Sequence, residues 1–164
     1  MSKAPLRAHL EAALAFSGVM VVLAGALGAG LSLLVGTGGM LSALRSAPLL
    51  AVLGPIAGLL LMPIFFLVAA AVAALPAFLA GTLFFVAAAS SVLNRLPAPL
   101  VPLLCAVFGF AGVHLAGAVL GNPGFNLRAS VFGSLSGLVS GAALYWIPAL
   151  RPLTDHLRDA QEST

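Results

Sequence analysis

Long uncharged runs, broken at intervals by single arginines, set the pattern of this chain. Ala12 to Val35 is 24 residues without a charge, and Leu49 to Leu93 is 45. No acidic residue stands between Glu11 and Asp155, and between those two only Arg45, Arg95, Arg128 and Arg151 carry charge. Apolar stretches of about 20 residues are long enough to cross a bilayer as helix, and charges then mark the connecting loops. The pattern predicts an all-α polytopic bundle, a single integral membrane domain over residues 1–164.

The first predicted span is 12–35. Before it lie Lys3, Arg7, His9 and Glu11, with Leu6, Leu10 and Leu14 on one helical stripe, a short amphipathic approach. A basic start ahead of an apolar run also resembles a signal peptide, with Ala24-Gly25-Ala26 as its cleavage site. The run continues past that site, however, and further spans follow. Gly36-Thr37-Gly38-Gly39 closes the span.

Leu49 to Leu93 is harder to divide. As one helix it would measure about 68 Å, more than twice the hydrocarbon thickness. Pro55, Pro63 and Pro76 are the available break points. Pro76 is the best of them, because proline suits a first helical turn and Pro76-Ala-Phe-Leu-Ala-Gly81 opens a fresh run. The division gives spans 52–74 and 76–93. Asn94, Arg95, Pro97 and Pro99 form the next loop, and a span at 100–121 ends at Gly121-Asn122-Pro123-Gly124, a turn sequence. The last span is 129–147, stopped by Pro148 and Pro152. Residues 150–164 read as a short amphipathic tail, with Leu150, Leu153 and Leu157 opposite Asp155, Arg158 and Asp159, and Thr154 as N-cap.

Charge and length disagree about the number of crossings. With five spans, Lys3, Arg7 and Arg128 share one side against Arg45, Arg95, Arg151 and Arg158, which decides no orientation. With four spans, Lys3, Arg7, Arg95, Arg151 and Arg158 fall together against Arg45 and Arg128, a clear positive-inside bias with both termini cytoplasmic. Length favours five spans, and five is the expectation. The alternative is four spans plus a re-entrant or kinked segment around Pro76.

Composition supports the membrane reading. The chain is 62% hydrophobic and 7% charged, more apolar surface than a core of 164 residues can enclose, so lipid must cover the remainder. The net charge of +3 is dispersed and builds no basic patch, which argues against nucleic acid and for loop arginines facing anionic headgroups. Cys105 is the only cysteine, so an intramolecular disulfide is excluded. Richness in Ala, Gly and Leu, with arginine preferred to lysine, suits a bacterial inner membrane.

Small residues recur at four-residue multiples in the last two spans. Gly109, Gly117 and Gly121 occupy one, and Gly133, Gly137 and Gly141 occupy the other. Such a glycine zipper lets helix backbones approach closely inside lipid, and it predicts that these two spans pair. Tyr145 and Trp146 at the end of the last span look like an interfacial anchor. His114 lies well inside a predicted span, a costly place for an ionisable group, and is a candidate polar site with Ser136 and Ser140. Its plainer role is a neutral imidazole bonded to a backbone carbonyl or to a serine of the last span.

Most chemistries fail on residue grounds. Intramembrane serine proteases such as the rhomboids carry a Gly-x-Ser-Gly motif, but Ser134 precedes Ser136-Gly137 and Leu138 precedes Ser140-Gly141 where the first glycine belongs. Proton-coupled exporters need an embedded acidic residue, and the spans hold none. Gly36-Thr37-Gly38-Gly39 has no following Lys-Ser or Lys-Thr, so it is no phosphate loop. No cofactor or metal site is read from the sequence, and no enzyme activity.

The segment Ala74-Leu75-Pro76-Ala77-Phe78-Leu79-Ala80-Gly81-Thr82-Leu83, together with the Gly-rich last span, resembles small uncharacterised bacterial inner-membrane proteins. These carry a central Pro-Ala-x-Leu-x-Gly segment and a Gly-xxx-Gly final helix. The resemblance covers about a third of the chain and implies location without activity. The functional expectation is a non-enzymatic multi-pass protein of the inner membrane. It would have lipid around it and act through helix packing, as an accessory subunit of a membrane-protein partner or as a homo-oligomer. The alternative is a small transporter or channel component for an uncharged or lipophilic solute.

Overall fold

The computed structural model describes residues 3–43, 48–90, 92–122, 126–147 and 150. Among these the chain is all helical: α1 Lys3–Ala43, α2 Pro48–Ala89, α3 Val92–Arg95, a single 3-10 turn Ala98–Leu100, α4 Val101–Val119 and α5 Leu127–Trp146. Four helices among the described residues, α1, α2, α4 and α5, are long and apolar enough to cross a membrane.

The expected break at Pro76 is absent, and with it the fifth span. The predicted segments 52–74 and 76–93 are replaced by one continuous 42-residue helix that carries Pro55, Pro63 and Pro76 in its interior. Ending a helix leaves four N–H and four C=O groups without partners at each terminus. Keeping a proline in the helix forfeits one hydrogen bond and strains the turn before it. Where no polar side chain or water is at hand to satisfy the loose ends, the continuous helix is the cheaper choice. Residues 49–93 offer no charged side chain to form a turn. A similar continuity runs through α1, which extends over the Gly36–Gly39 stop to Ala43. Of the predicted tail 150–164, all but Leu150 lies outside the described residues, as does the predicted loop at Arg45.

The chain divides into two compact units, and the helices α1 and α2 contribute to both. One unit comprises residues 1–20 and 74–164, and the other residues 21–73. The second boundary in sequence falls at Ala73–Ala74, close to Pro76, although the helix itself runs on.

Residues 21–73 hold the later part of α1 and the earlier part of α2. Small residues bring these segments together. A Cβ built on Gly25 would stand 2.6 Å from the Phe66 ring, and one on Gly28 would stand 2.7 Å from the Phe65 carbonyl oxygen. Ala24 and Ala29 are buried beside them, while Leu31, Leu34, Leu60, Leu67 and Val72 face outward.

In the other unit, the first turns of α1 and the last turns of α2 pack with α4 and α5. Phe16 and Phe84 stack at 5.0 Å with their planes 16° apart. Gly112 of α4 lies against the Pro76 carbonyl and Ala80, and Gly81 of α2 lies beneath Ser17. Leu93, Val101, Cys105, Leu144 and Tyr145 complete this core, each with no exposed surface.

Candidate functional site

The α4–α5 pair holds almost every residue the sequence singles out. Two features fix its geometry: the capped ends of the two helices and the glycines that let them approach.

The end of α4 is a Schellman closure. Gly121 takes φ +72°, Asn122 N–H donates to Gly117 O at 2.8 Å, and Gly121 N–H donates to Ala118 O at 3.1 Å. Glycine is the residue that reaches this left-handed conformation without strain. The start of α5 is capped by Asn126, whose side-chain oxygen accepts from Ala129 N–H at 3.2 Å. Asparagine in that place satisfies one of the orphan donors of the first turn.

Between these ends the backbones nearly touch. A Cβ on Gly133 would stand 2.7 Å from the Gly109 carbonyl oxygen, and one on Gly137 would stand 3.2 Å from the Gly109 Cα. Further along, a Cβ on Gly141 would meet Cys105 Cβ at 2.7 Å and Pro102 Cα at 3.2 Å. Gly109, Gly133, Gly137 and Gly141 thus line one seam. Gly117 and Gly121 do not: the nearest atom to a Cβ on Gly117 belongs to Asn122, and Gly121 opens on empty space. Their spacing serves the turn that ends α4.

His114 sits near one end of the seam. Its Nε2 lies 2.9 Å from Ser130 Oγ, and Ser130 Oγ donates to the Asn126 carbonyl at 2.8 Å. Ser130 Oγ thus bridges the imidazole and the Asn126 carbonyl. The Phe110 ring, one turn earlier, lies 4.4 Å from the imidazole, tilted by 49°. The arrangement is a hydrogen-bonded clamp between helices.

The remaining candidates separate. Ser136 and Ser140 are buried on α5 away from His114's hydrogen bond, and Ser140 Oγ has no hydrogen-bond partner among the described residues. Of the aromatic pair, Tyr145 is fully buried inside its unit and Trp146 is half exposed, so only Trp146 faces outward as an anchor would. Asn126, Ser130 and Phe110 are the members of the cluster that sequence reading does not name. Ser130 belongs to the class of partner expected, a serine of the last span. Asn126 carries a legible signal, an asparagine two residues after Pro-Gly and just ahead of an apolar run.

Among the described residues no three His, Cys, Asp or Glu side chains gather to hold a metal ion. The chain matches no protein-family model, no curated protein and no solved structure.

Proposed function

We propose that this chain is a non-enzymatic multi-pass membrane protein that works by helix packing, as an accessory subunit or a homo-oligomer, in a bacterial inner membrane. The observation that supports this reading best is the closed α4–α5 seam. Its glycines are spent on backbone contact, and its histidine and serine answer each other and the Asn126 carbonyl. Long uncharged helices with apolar outer faces suit lipid and the helices of other membrane proteins.

Four crossings also favour an orientation. Lys3, Arg7, Arg95, Arg151 and Arg158 then share the cytoplasmic side, with Arg45 and Arg128 opposite. The resemblance to small bacterial inner-membrane proteins is in keeping with that location.

Purification of the full chain in mild detergent, followed by mass measurement of the intact particle, tests the proposal. A defined multimer, or a partner at fixed stoichiometry, is the expected result. A monomer alone, with solute transport in reconstituted vesicles, would replace it with the transporter reading.

A further inference from the structure

The apolar part of α2 is longer than a bilayer can hold. Leu53–Ala89 is an apolar stretch of 37 residues, about 55 Å as straight helix, against a hydrocarbon core of about 30 Å. By contrast α4 and α5, with 19 and 20 residues, match that core at about 28–30 Å. At the steepest usual tilt, about 40°, a straight α2 would still leave about 12 Å of its length beyond the hydrocarbon. Residues 49–81 hold no polar side chain to meet headgroups or water. Leu53, Leu59, Leu60, Leu67 and Val72 are exposed along them, so lipid has to cover these residues. Thickening the bilayer to match costs more with every ångström, and a kink relieves the mismatch instead.

Of the three prolines in α2, Pro76 is the one placed to kink it. It lacks the N–H that would bond the Val72 carbonyl, and it stands just past the unit border at Ala73–Ala74. Pro63 is held inside residues 21–73, where Gly25 and Gly28 seat against Phe66 and Phe65. Pro55 is two turns from the start of the helix, too near its end to shorten the rest. The same contacts at Gly25 and Gly28 oblige α1 to follow α2, and α1 passes between units at Met20–Val21. Ser17-Gly18 stands just before that border, and serine–glycine pairs are among the few causes of sharp helix kinks. Ser17 Oγ donates back to Ala13 O at 3.0 Å, a bond that bends helices. A Cβ built on Gly18 meets nothing within 4 Å, so no close packing calls for glycine there. Gly81, about a turn and a half past Pro76, lies beneath Ser17, which sets the two weak points at nearly one level.

We infer that Pro76 and the Ser17-Gly18 pair form a two-helix hinge, at which α1 and α2 bend together and bend further as the bilayer thins. Both helices stay continuous through it, and residues 21–73 move as one piece. The inference rests on the reading of α2 as a membrane-embedded helix. Retention of the chain in carbonate-washed membranes tests that reading separately, and loss from them would refute the embedding without touching the geometry of the hinge.

The experiment measures the length of α2 in membranes of two thicknesses. Spin labels at Leu53→Cys and Val86→Cys, both exposed positions, are placed in the full chain with Cys105→Ala. The chain is reconstituted in thin vesicles of dimyristoyl phosphatidylcholine and thick ones of dierucoyl phosphatidylcholine. A straight helix separates the two positions by about 50 Å, and a bend of about 45° at Pro76 shortens that by about 3 Å. The distance is expected to be short by at least that much in the thin vesicles and to lengthen in the thick ones. Pro76→Ala restores the missing N–H and should return about 50 Å in both. Gly18→Ala, which meets open space, should also narrow the difference between the two membranes, and it carries the test should Pro76→Ala fail to assemble. Pro55→Ala should leave the native difference unchanged. A native distance of about 50 Å in both membranes would overturn the hinge, as would the native difference persisting in both Pro76→Ala and Gly18→Ala. A distance under about 30 Å would mean that the chain doubles back within α2, and would overturn it equally.

Discussion

The His114 imidazole and the Ser130 hydroxyl meet across α4 and α5 at 2.9 Å, although 16 residues separate them in sequence. Ser130 Oγ also donates to Asn126 O, and the pair ties the end of one helix to the first turns of the next. Interhelical hydrogen bonds of this kind within membranes contribute about 0.6 kcal/mol on average and at most about 1.7. A double-mutant cycle of His114→Ala and Ser130→Ala, followed by unfolding in a graded detergent mixture, should return a coupling within that range. Strict additivity of the two changes would show that the contact carries no stability. His114→Ala should also leave assembly with any partner intact, since the clamp is internal to the unit.

Close approach at the seam makes its glycines unequal to glycines elsewhere. Gly137→Leu drives a side chain into the Cys105 carbonyl and the Gly109 backbone, which cannot move aside as a flexible side-chain tip would. Overpacking of this sort costs about 1–3 kcal/mol or more. Gly30→Ala is the contrasting case, because a Cβ there meets nothing within 4 Å. That change should raise stability by about 0.4–1 kcal/mol by reducing unfolded-state freedom in a helix. Gly121→Ala also meets open space, yet φ +72° makes it unfavourable by about 1–2 kcal/mol. Three glycine substitutions, one alone stabilising, would be read directly from thermal or detergent unfolding midpoints. If Gly30→Ala and Gly137→Leu behaved alike, the seam would not be the close contact described.

How far this architecture can be read from sequence depends on how local each signal is. The α4–α5 pairing is legible because two short spans carry small residues at helical spacing and a Pro-Gly sequence stands between them. The same spacing misleads at Gly117 and Gly121, since a four-residue interval serves a helix seam and a Schellman closure equally well. Only the sign of φ at Gly121 separates them. Gly25 and Gly28, which seat against Phe66 and Phe65, are hidden among alanines and glycines that offer small surfaces in every direction. Tyr145 looks like half of an aromatic belt, but its place on the α5 helix turns it into the core while Trp146 turns out. Pro76 shows the limit most clearly. Proline punctuates helices in water, where freed backbone groups find solvent, and an apolar surrounding removes that escape.

Cys105 gives an internal reporter of the seam. It is fully buried, and a Cβ on Gly141 would stand 2.8 Å from its sulfur. Maleimide should label the folded chain far more slowly than the chain in denaturing detergent, where the thiol is open. Gly141→Val presses on the sulfur and should speed labelling of the folded chain by about tenfold or more, equivalent to a loss of ~1.4 kcal/mol of protection against opening. Fast labelling of the native protein would mean that α4 and α5 separate readily, and the closed seam would have to be abandoned.

The number of crossings is decided by where residue 96 lies. As a single span, a continuous α2 would carry the chain across once between Pro48 and the short helix Val92–Arg95. Leu96 should then lie on the same side as the N-terminus, and Asn122 on the opposite side. A crossing broken at Pro76 would reverse both. Charge agrees with the continuous helix, because that path alone gathers Lys3, Arg7 and Arg95 on one face of the membrane, the cytoplasmic one in the proposed orientation. Paired reporters active only in the cytoplasm or only outside it, fused after Leu96 and after Asn122, measure both sides in one series. The cytoplasmic reporter should be active at Leu96 and silent at Asn122. Activity in the opposite sense at Leu96 would restore two crossings to residues 48–89 and require a break that the helix does not show.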